Sequence, residues 1–448
     1  MKLRVVRGLE EGKKALARKG TLDLSRITDR VKERSREVFG EALGPEEAVR
    51  RILDDVRSGG DEAVRHYSRL LDKTELDSLE VSKDEISWAL EQTDKELLTS
   101  LRLAAQRIRD YHESAMPKGW MDVERGLGER LVPLERAGLY APGGTAAYPS
   151  TVLMSAVPAR VAGVKEVILC SPTTSPVVLA ASSVAGVDRV FRIGGAQAVG
   201  AMAYGTASVP KVDIICGPGN IFVTLAKKMV YGDVGIDGLY GPTETVIVAD
   251  RSAKANHCAA DLLAQAEHDS MASPIFITDS LALVAEVEAE LSKQAASLER
   301  RQIAESAVSN GGCLALVEDL DEAIELANYV APEHMCLVVE EPWKWAGKVR
   351  NAGGLFLGHW SPEVAGDYIA GPSHVMPTGG TARFSSALGV RQFLRTMPVV
   401  ALREEDMDGI AEAAARMARA EGLTAHARAM EMRIRDTRGR ITPKAKDS

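Results

Sequence analysis

Four stretches of the chain carry side chains that could act together as ligands, acids or bases. Gln265-Ala266-Glu267-His268 ends a helix-like run, and its Gln and His are three apart. On a helix that spacing puts both on one face, within reach of one metal ion. A histidine at a helix C-terminus is also favoured by the helix dipole alone. Ala331-Pro332-Glu333-His334 leads into an apolar run. Its adjacent carboxylate and imidazole can take protons in different directions, or simply pair at a helix end. Gly366-Asp367 to His374 lies in a glycine-rich stretch, where Asp367 offers a hard oxygen ligand and His374 a second polar group. Glu421 and His426 lie on a helical, polar stretch that reads as surface.

Three glycine clusters form a second group: Tyr140-Ala141-Pro142-Gly143-Gly144, Gly194-Gly195-Ala196-Gln197 and Gly217-Pro218-Gly219-Asn220. Each follows a strand-like run, and two lead directly into a helix. Such turns can aim backbone N–H groups and a helix N-terminus at a phosphate. Glycine is common in any β-to-α turn, but three such turns in one α/β unit favour a nucleotide-sized ligand. There is no GxGxxG motif.

The elements that must hold these groups alternate from about residue 131. Apolar runs at 137–140, 166–170, 189–193, 212–216 and 245–249 alternate with helical runs, and a second series continues at 274–278, 313–318, 336–340 and 354–357. This predicts two successive α/β units, incomplete Rossmann-like, with parallel sheets covered on both faces. Ligands are expected at the carboxyl ends of the strands. The first 130 residues read as helix, with a stop at Gly59-Gly60 and one long helix over 84–116. Residues 358–384 read as a long loop of the kind that is usually functional. A helical tail covers 406–435, with Met417, Ala420 and Leu423 among its apolar positions, and the last residues read as frayed. His66, His112 and His257 read as surface.

The 448 residues are 45% hydrophobic and 26% charged, ordinary for a globular protein, and the net charge of −8 offers no basic field for nucleic acid. No apolar run is long enough to span a bilayer, and the charged N-terminus lacks a signal-peptide core. The five cysteines form no CxxC pair and read as reduced core residues of a cytoplasmic protein.

Taken together, the pieces resemble the histidinol dehydrogenases. The motifs carrying the resemblance are GLYAPGG, IGGAQAV, GPGN, GPTE, LLAQAEHD, APEH, GDYIAGPSHVMPTGGTARFSS and EGLTAHARA, in that order, over about residues 34–435. The resemblance implies two NAD-dependent oxidations of L-histidinol, through histidinal, to L-histidine. It implies zinc held by Gln265, His268, Asp367 and His426, and NAD contacted by Tyr140, Gln197 and Asn220. Substrate would meet Thr243, Gln265, His268, His334, Asp367, His374, Glu421 and His426. His334 would take the hydroxyl proton and Glu333 would activate water for the second oxidation. It further implies a homodimer whose C-terminal tails cross, so that Glu421 and His426 complete the other subunit's site.

The implied domains are an N-terminal arm (1–33), a main α/β domain (34–139 with 242–388), an NAD-binding domain (140–241) and a dimerisation tail (389–448). The chain departs from the family pattern at Tyr240 and Thr243, and at Met335 and Cys336. The rival reading is therefore a paralogue with the same chemistry on another polar primary alcohol, such as a sulfonated diol. A metallohydrolase would leave the glycine turns unexplained. A non-catalytic binding protein would not account for the convergence of Gln265, His268, Asp367 and His426.

Overall fold

The computed structural model describes residues 2–18, 28–143 and 147–439. Gly144 of the first glycine cluster, residues 19–27 of the arm and residues 440–448 of the tail lie outside the described residues. The chain forms two compact units, Met1–Met116 with Pro133–Phe393, and Pro117–Val132 with Leu394–Ser448.

The first unit has the expected α/β character, with two parallel sheets. The five-stranded sheet has the order Arg189–Phe191, Glu166–Cys170, Arg136–Tyr140, Ile214–Cys216, Gly235–Ile236. The six-stranded sheet has the order Arg4–Arg7, Cys313–Leu316, Ser273–Thr278, Glu244–Ala249, His334–Val338, Gly354–Leu357. Every neighbouring pair in both runs parallel. Their apolar runs are covered on both faces, and Ile247 and Val248, adjacent in one strand, belong to different core clusters. Met335 and Cys336 divide between the same two clusters, so these departures from the family pattern fill the core. All five cysteines are free and buried. The edge strand Arg4–Arg7 and the short strand Gly235–Ile236 were not foreseen.

The helical N-terminal region differs in detail from the sequence expectation. Helix Pro45–Leu71 bends at Gly60, which adopts φ 54°. Its buried face, with Val49, Ile52, Leu53, Val56, Val64 and Tyr67, packs in one cluster with Ile168, Phe191 and Ile215 of the five-stranded sheet. The apolar stripe of this helix is thus consumed by the five-stranded sheet. The expected single helix over 84–116 is two helices, Lys83–Gln92 and Lys95–Ser114. Asp94 starts the second by accepting the N–H groups of Glu96 and Leu97, a helix cap. The loop 358–384 contains the short helix Glu363–Tyr368 and a 3₁₀ turn, Thr381–Arg383.

The second unit holds a three-stranded sheet that the sequence reading missed, in the order Leu394–Val400, Leu127–Pro133, Trp120–Asp122. The helical tail is two helices, Met407–Ala420 and Thr424–Gly439, separated at Gly422 (φ 78°). Among its described side chains Ala411, Ala415 and Ala427 are buried, whereas Met417 and Leu423 are exposed.

His112 is buried, against expectation. It continues the stripe Leu101, Ala104, Ala105, Ile108 at helical spacing, so the periodicity that marks the core also captures the histidine. Burial pushes its pKa down to about 4, from about 6.5 in an unfolded chain. The unfolded state therefore protonates first on acidification, and stability is lost as pH falls from about 6.5 towards 4. Relative to a His112→Leu variant, the parent should lose about 2 kcal/mol between pH 7.5 and pH 5. Denaturant unfolding of both proteins at the two pH values checks this; a pH-independent difference between them would contradict it.

Candidate active site

Thr243, Glu333 and His334 come together at the amino ends of neighbouring strands, not at the expected carboxyl ends. His334 stands in register with Thr245, which places Glu333 beside Glu244. The helix Ala255–Ala266 returns from the far end of the strand Glu244–Ala249, so its last turn, with Gln265, also arrives at this edge. So does the C-terminus of the helix Leu320–Val330. Helix C-termini carry partial negative charge and favour cations.

Glu333 is 7% exposed. Its Oε2 accepts the Thr243 hydroxyl at 2.5 Å and the Glu244 N–H at 3.2 Å. Burial pushes its pKa up to about 7, with His334 and the Thr243 hydrogen bond acting the other way. His334 lies between carboxylates: Nδ1 is 3.9 Å from Glu333 Oε2 and Nε2 is 3.3 Å from Asp367 Oδ1. Neither ring nitrogen has an aligned hydrogen-bond partner among the described residues, and both are buried. Burial alone would lower the imidazole pKa, but Glu333, Asp367 and Glu363 outweigh it and raise it to about 10. Asp367 is held below its ordinary range: burial works to raise it, and His334 prevails.

His374 sits behind Asp367, with Nδ1 2.9 Å from the Asp367 carbonyl and Nε2 3.2 Å from Thr151 Oγ1. Gln265 is 1% exposed, and its Nε2 has no partner among the described residues. His268 lies just past the end of that helix, exposed, and its charge interacts with Asp367 and His334. Glu421 and His426 belong to the second unit, where both are exposed.

Sequence reasoning missed Glu363. It is 2% exposed, and Thr245 Oγ1 donates to its Oε2. Burial pushes its pKa up to about 8, against the influence of His334. The signal was its spacing: Glu363 and Asp367 are four apart on one short helix, inside a stretch read as loop.

The other predicted group lies at the carboxyl ends of the five-stranded sheet. Tyr140 ends its strand and its hydroxyl accepts the Gly195 N–H at 3.1 Å. Gln197 is fully buried, donates to Asp72 Oδ2 at 3.0 Å and leaves Oε1 without a partner among the described residues. Asn220 caps the helix Ile221–Val230, accepting the N–H groups of Phe222 and Val223. Gly217, at φ 115°, has its position for a Cβ 2.1 Å from the Tyr140 carbonyl oxygen, so no other residue fits. A buried ion pair grips this glycine on both sides. Lys227 donates to its carbonyl at 3.0 Å, and Asp237, paired with Lys227, accepts its N–H at 2.6 Å. Tyr240, one of the departures from the family pattern, packs its ring over the Lys227 ammonium at 4.7 Å.

The sequence profile of the histidinol dehydrogenase family matches residues 38–434. This chain belongs to the histidinol dehydrogenase family. It is 47% identical over 440 residues to the histidinol dehydrogenase of Dehalococcoides mccartyi strain CBDB1, covering 96% of this chain and 100% of that one. It is 52% identical over 391 residues to that of Thermus thermophilus, covering 87% and 94%. The crystal structure of histidinol dehydrogenase from Elizabethkingia anophelis superposes with a TM-score of 0.88 at 31% identity, covering 97% of this chain and 99% of that one. No described helix is long and apolar enough to cross a membrane.

Proposed function

We propose that this chain oxidises L-histidinol to L-histidine in two NAD-dependent steps, through histidinal, using one zinc ion per subunit. The observation that carries the reading is His334, a buried imidazole with no aligned partner on either nitrogen, set between Glu333 and Asp367. An unpaired buried polar group costs roughly 1–3 kcal/mol, a cost that a bound substrate hydroxyl removes.

The residues present fit both cofactors. The amide of Gln265 is buried with Nε2 unpaired, and the Asp367 carboxylate, held below its ordinary pKa range, lies at the same edge beside His334. Among the described residues of one chain, no three His, Cys, Asp or Glu side chains converge as a metal-holding group. The proposed set draws only His268 and Asp367 of those types from the first unit. Gln265 adds an amide, and the partner's His426 completes the set in a homodimer with shared sites, with the partner's Glu421 contacting substrate. Tyr140, Gln197 and Asn220 would hold NAD; the unpaired Gln197 Oε1 and the glycine-only turn at Gly217 suit a ligand pressed against backbone. When bound, zinc would orient the amino alcohol and act as a Lewis acid, and NAD would accept the hydrides.

The chain's own residues handle the protons. Nε2 of His334 faces Asp367 and takes the hydroxyl proton. Once a ligand engages the Asp367 carboxylate, the support that raised the imidazole pKa falls, so that more of His334 is unprotonated at neutral pH and able to take that proton. Glu333 Oε2 is engaged by Thr243 and the Glu244 N–H, so Oε1 takes the proton of the water that attacks the aldehyde. A pKa near 7 suits that task at neutral pH. The paralogue reading loses ground, since Met335 and Cys336 are core residues.

Purified protein given limiting L-histidinol and excess NAD should form two NADH per histidinol. It should lose activity on chelation and regain it with zinc. One equivalent, no turnover, or full activity in metal-free protein would overturn the proposal. Mixing a Gln265→Ala, His268→Ala subunit with a His426→Ala subunit should restore activity in the mixed dimers. Inactive mixed dimers, once isolated, would show that each chain uses its own His426.

A further inference from the structure

Residues 4–18 of the N-terminal arm run along the six-stranded sheet and reach Glu333's support. Its strand Arg4–Arg7 pairs with Cys313–Leu316. Its helix Leu9–Ala15 packs on Leu320–Val330: a Cβ at Gly12 would lie 2.6 Å from Leu326 Cδ2, and Lys13 pairs with Glu325 at 2.7 Å. These contacts deliver Arg18.

The Arg18 guanidinium forks onto Glu244, with Nη1 2.8 Å from Oε1 and Nη2 on Oε2, and Nη2 also donates to the Val330 carbonyl at 2.9 Å. Glu244 is 4% exposed, and its Oε1 also accepts the Gly379 N–H. Both anchors of Arg18 bear on Glu333. The backbone N–H of Glu244 is one of the two donors to Glu333 Oε2. Val330 ends the helix from which Ala331, at φ 50°, and Pro332 turn the chain into Glu333. A non-glycine residue in the left-handed region costs about 1 kcal/mol or more and persists only where its surroundings hold it.

We propose that Arg18 is a positioning residue for Glu333: it fixes the Glu244 donor on one side and the Val330 carbonyl at the start of the turn on the other. It also neutralises a buried carboxylate that would otherwise repel Glu333. A planar fork suits this task better than a lysine, which offers a point charge. The inference rests on the assignment of Glu333 to the aldehyde step.

The test is a double-mutant cycle read on histidinal and histidinol separately. Arg18→Ala should slow histidinal oxidation about 10–100-fold, the scale of a misplaced reacting group, with KM unmoved and histidinol oxidation less affected. Arg18→Lys should lose less; it keeps the charge, and so serves as the reading if Arg18→Ala does not fold. In a Glu333→Gln background neither substitution should slow histidinal oxidation further. A merely structural role predicts equal losses in both steps, or the same loss with and without the Glu333 carboxylate, and either result overturns the proposal. If Glu333→Gln alone leaves histidinal oxidation unchanged, the Glu333 assignment has failed instead, and Arg18 has no such group to position.

Discussion

Everything at the six-stranded sheet's amino edge follows from placing carboxylates where water cannot reach them. Glu244, Glu333 and Glu363 are all buried, and Asp367 lies against His334. Removing a carboxylate from water costs several kcal/mol unless hydrogen bonds and opposite charge offset it. The offsets are distributed: Thr243 and the Glu244 N–H on Glu333, Thr245 on Glu363, Arg18 and the Gly379 N–H on Glu244, and His334 against Asp367. The helix ends gathered there add partial negative charge. Such an edge favours cations, and it raises the proton affinity of His334, Glu333 and Glu363.

The five-stranded sheet solves a different problem at its opposite, carboxyl edge. The strand order places Arg136–Tyr140 between Glu166–Cys170 and Ile214–Cys216, so the chain leaves the two central strands in opposite directions and opens a crevice between their ends. Gly217 lies against the Tyr140 carbonyl in that crevice, held by the Lys227–Asp237 pair. The buried charge here shapes backbone, whereas at the other edge it faces the groups proposed to handle protons.

Periodicity and short motifs made the parallel sheets, the glycine turns and the Glu333-His334 pair legible in the sequence. Hydrophobic runs report burial on both faces, and adjacent polar residues at the mouth of such a run stand out. Which end of the strands carries the site was not legible, because it depends on where helices return, and a strand reads the same from either end. Arg18 and Glu244, 226 positions apart, meet only through the fold. Glu363 was hidden by a six-residue helix too short to show a period. His112 was misread because its neighbours are polar, although its place on the stripe through Leu101 and Ile108 was open to view. The second unit's sheet escaped because its strands are largely exposed and carry little alternation.

The central claim is that one buried pair divides the proton chemistry, with His334 serving both oxidations and Glu333 only the one that consumes water. The measurement that bears on it most directly is the ratio of histidinal to histidinol oxidation rates in His334→Asn and in Glu333→Gln, at matched folded stability. A positioned base contributes about 10²–10⁴-fold, so both variants have room to show the difference. The ratio should stay near the parent's in His334→Asn, with both rates depressed, and fall in Glu333→Gln. An unchanged ratio in Glu333→Gln would contradict the division and require another group to activate the water.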